Sequence, residues 1–116
     1  MSVYYNSRGD TVDYTASTAK TAGDVVVQNN LVGIVTQDIA ANQKGSLRIE
    51  GVAEVPKSTG GSTAIAAGKL VYWDATYSVA TETSSGNTAM GVTVLAATDA
   101  AAVVYVKLLP GIKAAL

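Results

Sequence analysis

Nine carboxylates carry whatever acid–base or metal chemistry this sequence offers: Asp10, Asp13, Asp24, Asp38, Glu50, Glu54, Asp74, Glu82 and Asp99. The chain has no His and no Cys. The commonest general base is therefore missing, and imidazole or thiolate metal sites are excluded. Glu50 and Glu54 alternate onto one strand face, but four residues of extended chain hold them roughly 13 Å apart. They read as a solvated polar face. Asp10 and Asp13 flank a Thr-Val pair on opposite faces, and a hard cation needs more oxygen ligands gathered in one loop. Ser and Thr are abundant, yet a nucleophile requires a base beside it. Gly60-Gly61-Ser62 lacks the Lys and Ser/Thr spacing of a phosphate-binding loop, so Ser58, Thr59, Gly60, Gly61, Ser62 and Thr63 read as a flexible loop tip. Arg8-Gly9-Asp10 spells a cell-adhesion tripeptide, for which a turn before the first strand is sufficient explanation. The sequence predicts no enzyme, no metal and no cofactor.

The aromatic residues are the other candidates. GKLVYWDATYSVAT (68–81) holds the only tryptophan, Trp73, between Tyr72 and Tyr77, in a chain without Phe. Three uses fit a lone Trp: an anchor filling the core, a subunit contact, or a platform on which a sugar stacks with Tyr72 or Tyr77. The expectation is a core anchor, because so few other large side chains exist to fill a small fold. Exposure separates the readings, since a sugar platform must face solvent in the free protein. Asp74 reads as a turn starter whose carboxylate accepts a backbone N–H two residues on.

The elements that position these groups follow from alternation. DTVDYTA (10–16) sets Val12, Tyr14 and Ala16 against Thr11, Asp13 and Thr15. GSLRIEGVAEV (45–55) sets Leu47, Ile49, Ala53 and Val55 against Arg48, Glu50 and Glu54. AAVVYVKLL (101–109) aligns Val104, Val106 and Leu108. These are period-two signals of half-buried strands. Further runs are DVVVQ (24–28), LVGIVT (31–36), KLVYW (69–73), YSVAT (77–81) and AMGVTVL (89–95), separated by the turn-formers QNN, STGGST, DAT and SSGN. The sum is about eight short strands with turns roughly every 10 residues, an all-β antiparallel sandwich or small β-barrel. Alanine runs at 63–68 and 96–102 have helix propensity for a turn at most. A faint repeat pairs TAGDVVV (21–27), LVGIVT (31–36) and SLRIEG (46–51) with AAGKLVY (66–72), AMGVTV (89–94) and VVYVKL (103–108). The second copy carries a longer insert over 73–88.

Composition bounds the partners. The chain has 116 residues, enough for one domain, with a possible extended arm over 1–9 ahead of a single β domain over 10–116. Apolar residues make up 48%, but Ala and Val dominate them, so burial within one copy is modest and a homo-oligomer is expected. The net charge of −1 and absence of a basic patch argue against nucleic acid. No apolar run approaches the ~20 residues of a membrane span. The first residues lack the pattern of a signal peptide, and a chain without Cys suits synthesis in the cytoplasm.

One set of segments says more than composition does. In order they are GIVT (33–36), DIAA (38–41), EGV (50–52), EVPK (54–57), AGKLVYWD (67–74) and GNTAMGV (86–92). They resemble the family of tailed-phage and prophage proteins first labelled as a domain of unknown function, DUF2190, and regarded as capsid cement or decoration proteins. The resemblance covers about residues 21–109. It implies a jelly-roll-like or barrel protein on the outer surface of a phage head, where it clamps neighbouring major capsid subunits as a dimer or trimer without enzymatic activity. The family supplies no catalytic residues. MSVYYNSRGD falls outside the matching segments. Extended arms of such proteins order on the capsid, which makes Tyr4 and Tyr5, with the loop Ser58–Thr63, the expected capsid contacts. The alternative is a carbohydrate-binding module using Trp73 and its neighbouring tyrosines.

Overall fold

The structure, a computed structural model, describes residues 2–5 and 7–111. Those residues form nine β-strands and no helix: β1 (Thr11–Thr15), β2 (Val25–Gln28), β3 (Leu31–Val35), β4 (Lys44–Arg48), β5 (Gly51–Pro56), β6 (Leu70–Asp74), β7 (Val79–Thr81), β8 (Thr88–Thr93) and β9 (Val103–Leu108). They make two sheets, in the orders β1-β4-β3-β2 and β5-β9-β8-β6-β7. Every strand pairing in them is antiparallel. The chain is an all-β sandwich.

The ninth strand comes from a run that the sequence presents as one. Residues 45–55 alternate without interruption, yet the chain leaves the first sheet after Arg48 and enters the second at Gly51. Ile49 still donates its N–H to the Asp10 carbonyl oxygen at 3.0 Å. Gly51 then turns the backbone at φ 107, a conformation that side chains with a Cβ rarely adopt. The alanine runs form no helix. Ile65 and Ala97, one from each, pair instead in an antiparallel bridge, with N–H···O distances of 2.9 and 2.8 Å. Sheet pairing overrides the local propensity of alanine here.

The two sheets are two versions of one unit. In each, the first strand lies beside the last, and the order first-fourth-third-second reappears as β5-β9-β8-β6, with β7 added at the end. Hydrogen bonds outside the strands repeat as well. Gly23 donates to Val35 and Val35 to Asp24; Gly68 donates to Thr93 and Thr93 to Lys69. The bridge Lys20–Ile39 matches the bridge Ile65–Ala97. Ala16 donates to the Gln43 carbonyl, and Lys57 donates to that of Ala102. The first two segments of the sequence repeat coincide with this correspondence. The third is displaced: Ile34 faces Arg48 and Val92 faces Lys107, which matches Leu47 with Val106, two residues beyond the pairing drawn from sequence. A shift of two keeps inward residues inward, so alternation cannot detect it.

Packing follows the duplication. One cluster belongs to the first unit: Ala16, Val26, Val35, Ile39, Leu47 and Ile49. The other gathers Val55, Val71, Trp73, Met90, Val104, Val106 and Leu108 of the second unit, and it also takes in Val32 of β3 with Val25 and Ile34 against it. β3 is therefore buried on both sides, and the two units join along β3 and β8. Gly33 and Gly91 occupy the matching place in these two strands. A Cβ on Gly33 would lie 2.8 Å from the Leu47 Cβ, and one on Gly91 would collide with the Lys107 carbonyl oxygen.

Candidate functional site

The hairpin β6–β7 positions the aromatic residues. Its strands pair Trp73 with Ala80 and Asp74 with Val79. Asp74 Oδ1 accepts the N–H groups of Thr76 at 2.9 Å and Tyr77 at 3.2 Å, which closes the turn. Trp73 is 8% exposed and packs in the second cluster, and Tyr72 is 7% exposed. Neither offers a ring face to a sugar. Tyr77, at the turn, is 76% exposed.

The loop Ser58–Thr63 is exposed but tied down. Asp99, 36 residues away, accepts the N–H groups of Thr63 and Ala64 on its Oδ1 at 2.9 and 2.7 Å. Its carbonyl oxygen accepts the Gly60 N–H at 3.0 Å and the Thr63 hydroxyl lies 3.1 Å from it. Lys57 fastens the same loop from beneath: its Nζ donates to the carbonyl oxygens of Ser58 at 2.7 Å and Thr63 at 2.8 Å. Lys57 is 5% exposed and faces inward beside Val55. Its matching position in the first unit is Ala16, so a methyl group in one unit is an ammonium in the other. Three oxygens of one loop, the third being the Thr63 hydroxyl at 3.4 Å, hold the charge that burial would otherwise penalise.

Neither Lys57 nor Asp99 stands out in the sequence as a functional residue. Lys57 carries two signals: it closes the EVPK segment of the family resemblance, and it continues the inward phase of Ala53 and Val55. Asp99 carries none, because its partners are distant along the chain. The arm is described at residues 2–5 and 7–9, where it has no regular structure. Val3 is 99%, Tyr4 84% and Tyr5 81% exposed.

The carboxylates remain dispersed. Asp13 pairs with Lys44 at 3.1 Å in full view of solvent. Glu54 Oε2 accepts the Tyr105 hydroxyl at 2.8 Å, and this hydrogen bond, followed by the Glu54 charge and by burial, raises the Tyr105 pKa above its ordinary value. Among the described residues no three acidic groups gather to hold a metal. The arrangement sets the Thr63 hydroxyl 3.4 Å from Lys57 Nζ, but that group is committed as a donor to the loop's carbonyl oxygens, and the hydroxyl meets no base among the described residues. The arrangement does leave a cleft of about 270 Å³ between the fastened loop and the β6–β7 hairpin, lined in part by Asp74, Tyr77 and Glu82.

A protein-family model described as "Phage cement protein" matches residues 6–108 of the chain. The match takes in β1 and the segment before it, which the sequence resemblance leaves out. Neither curated proteins nor solved structures yield a match.

Proposed function

The chain belongs to the phage cement protein family, a structural family, and on that premise we propose that it binds the outer surface of a phage head and secures contacts between major capsid subunits. The family match over nearly the whole chain carries this reading. One structural feature supports it: the arm presents Val3, Tyr4 and Tyr5 to solvent, and none of the described residues covers them. Exposed aromatic anchors of that kind suit burial against a partner. We assign the capsid contacts to Tyr4, Tyr5 and the loop Ser58–Thr63, and the rest of the chain from residue 10 to the β domain. Self-association as a dimer or trimer, synthesis in the host cytoplasm, and independence from nucleic acid and membrane belong to the same proposal. Many copies per particle let weak contacts sum.

The test mixes purified protein with undecorated, expanded heads of its own phage. Co-sedimentation and a higher capsid melting temperature are expected. Deleting residues 1–9 should weaken binding while leaving the melting of the isolated protein close to that of the full chain, because β1 begins at Thr11. A full-length protein that neither co-sediments nor shifts capsid melting would overturn the reading.

A further inference from the structure

The largest departure of the second unit from the first lies between its second and third strands. β2 turns directly into β3 through Asn29-Asn30, whereas the matching step from β6 to β8 passes through a hairpin that carries β7. The fold closes without this hairpin, as the first unit shows. What the hairpin adds is one wall of the cleft: Asp74, Tyr77, Glu82 and Thr83, with Ser58 and Ser62 of the fastened loop opposite. We propose that this cleft binds a neutral sugar ring, stacked on Tyr77, with the ring hydroxyls held by Asp74, Glu82 and the flanking Ser and Thr side chains.

The chemistry fits that class of ligand. The backbone of Tyr77 is anchored through its N–H to Asp74, while its ring stays open to solvent at the cleft, free to meet a ligand. Aromatic faces take the apolar C–H side of a pyranose, and ionised carboxylates accept hydrogen bonds from its hydroxyl groups. The cleft is smaller than the roughly 300–1,000 Å³ of a pocket for drug-sized molecules, which suits a single ring. Charge sets the subclass. Asp74 and Glu82 repel anionic sugars, and Lys57, the cation among the lining residues, is spent on the loop's own oxygens. Hexoses and N-acetylhexosamines remain. The site is complete within one chain and does not rest on the cement reading.

Saturation-transfer NMR on the full chain tests it with four probes: methyl α-glucoside, methyl β-galactoside, N-acetylglucosamine and glucuronate. Transfer is expected to at least one of the three neutral sugars, with glucuronate weakest. Tyr77→Ala should lower it about tenfold by removing the stacked face, and Glu82→Gln should weaken it. Tyr105→Ala, which removes a partly exposed ring outside the cleft, should leave it unchanged. Tyr77 is solvent-exposed, so its variant should melt with the parent and still bind heads. No transfer to any neutral sugar, transfer that survives Tyr77→Ala, or preference for glucuronate would each overturn the proposal.

Discussion

The side chain of Ile39 fills the space that a Cβ on Gly45 would need. The matching residues of the second unit, Ala97 and Val104, divide the same space the other way: the small residue sits on the loop and the large one on the last strand. Both are buried in the second cluster. Total volume is conserved while its distribution is exchanged, as expected where close packing fixes how much space must be filled and not which position fills it.

That exchange predicts a rescue. Ile39→Ala should cost about 2–5 kcal/mol as a core truncation, and Gly45→Val about 1–3 kcal/mol by overpacking. The double variant copies the second unit and should be more stable than either single one. Urea unfolding of the four proteins reads the coupling directly; strictly additive losses would show that the two sites do not share a space.

Gly91 is the harsher of the two strand glycines. Its Cβ would meet backbone, the Lys107 carbonyl oxygen, whereas that of Gly33 meets the Leu47 side chain. Gly91→Ala should therefore destabilise by about 3 kcal/mol or more, at the upper end for overpacking, and should exceed Gly33→Ala. Chemical denaturation gives the ordering.

Much of the fold is legible in the sequence, and what escapes does so for a physical reason. Alternation marks the strands from Val12 to Leu108, but residues 47, 49, 53 and 55 keep one phase through Gly51, so it cannot show that the chain changes sheet there. The same blindness to even shifts misplaces the third repeat by two residues. The candidate site is less legible. Trp73 and Tyr77 are both aromatic residues in one hairpin, and only the pairing of Trp73 with Ala80 and the turn at Asp74 separate a buried ring from an exposed one. The role of Asp99 depends on Thr63 and Ala64, which local patterns cannot connect to it.

Asp99 should act as the clasp of the 58–63 loop. Asp99→Ala removes the acceptor for two backbone N–H groups, and each lost bond of this charge-assisted kind is worth about 1.5–3 kcal/mol before screening at an exposed site. A lower melting temperature is expected, with faster amide exchange at Thr63 and Ala64. Unchanged exchange there would show that Lys57 and the main-chain carbonyl of residue 99 hold the loop without the carboxylate.

Tyr105 should respond to alkaline pH. Its folded pKa is raised, so the Glu54 bond contributes stability that is fully present below the unfolded value of about 10 and is lost as pH rises through the folded value. Ring resonances of Tyr105 should titrate above that value and return toward it in Glu54→Ala. Equal midpoints in the two proteins would remove the effect.

The β7 hairpin has a consequence for crowding. The end strands of the second sheet, β5 and β7, meet in a bridge between Lys57 and Ala80, while β1 and β2 end the first sheet without meeting each other among the described pairings. An unpaired strand edge templates aggregation, and proteins blunt it by shortness or charge. β2 has four residues, and β1 carries Asp13 with Lys44 beside it. β6 has five residues and its charge, Asp74, lies at its end and is engaged in the turn, so the strand's edge is covered by β7 instead. On a head crowded with copies, as proposed above, that cover keeps neighbouring edges from pairing, so replacing residues 75–87 with a two-residue Asn-Gly turn should turn a clear solution into one that scatters light.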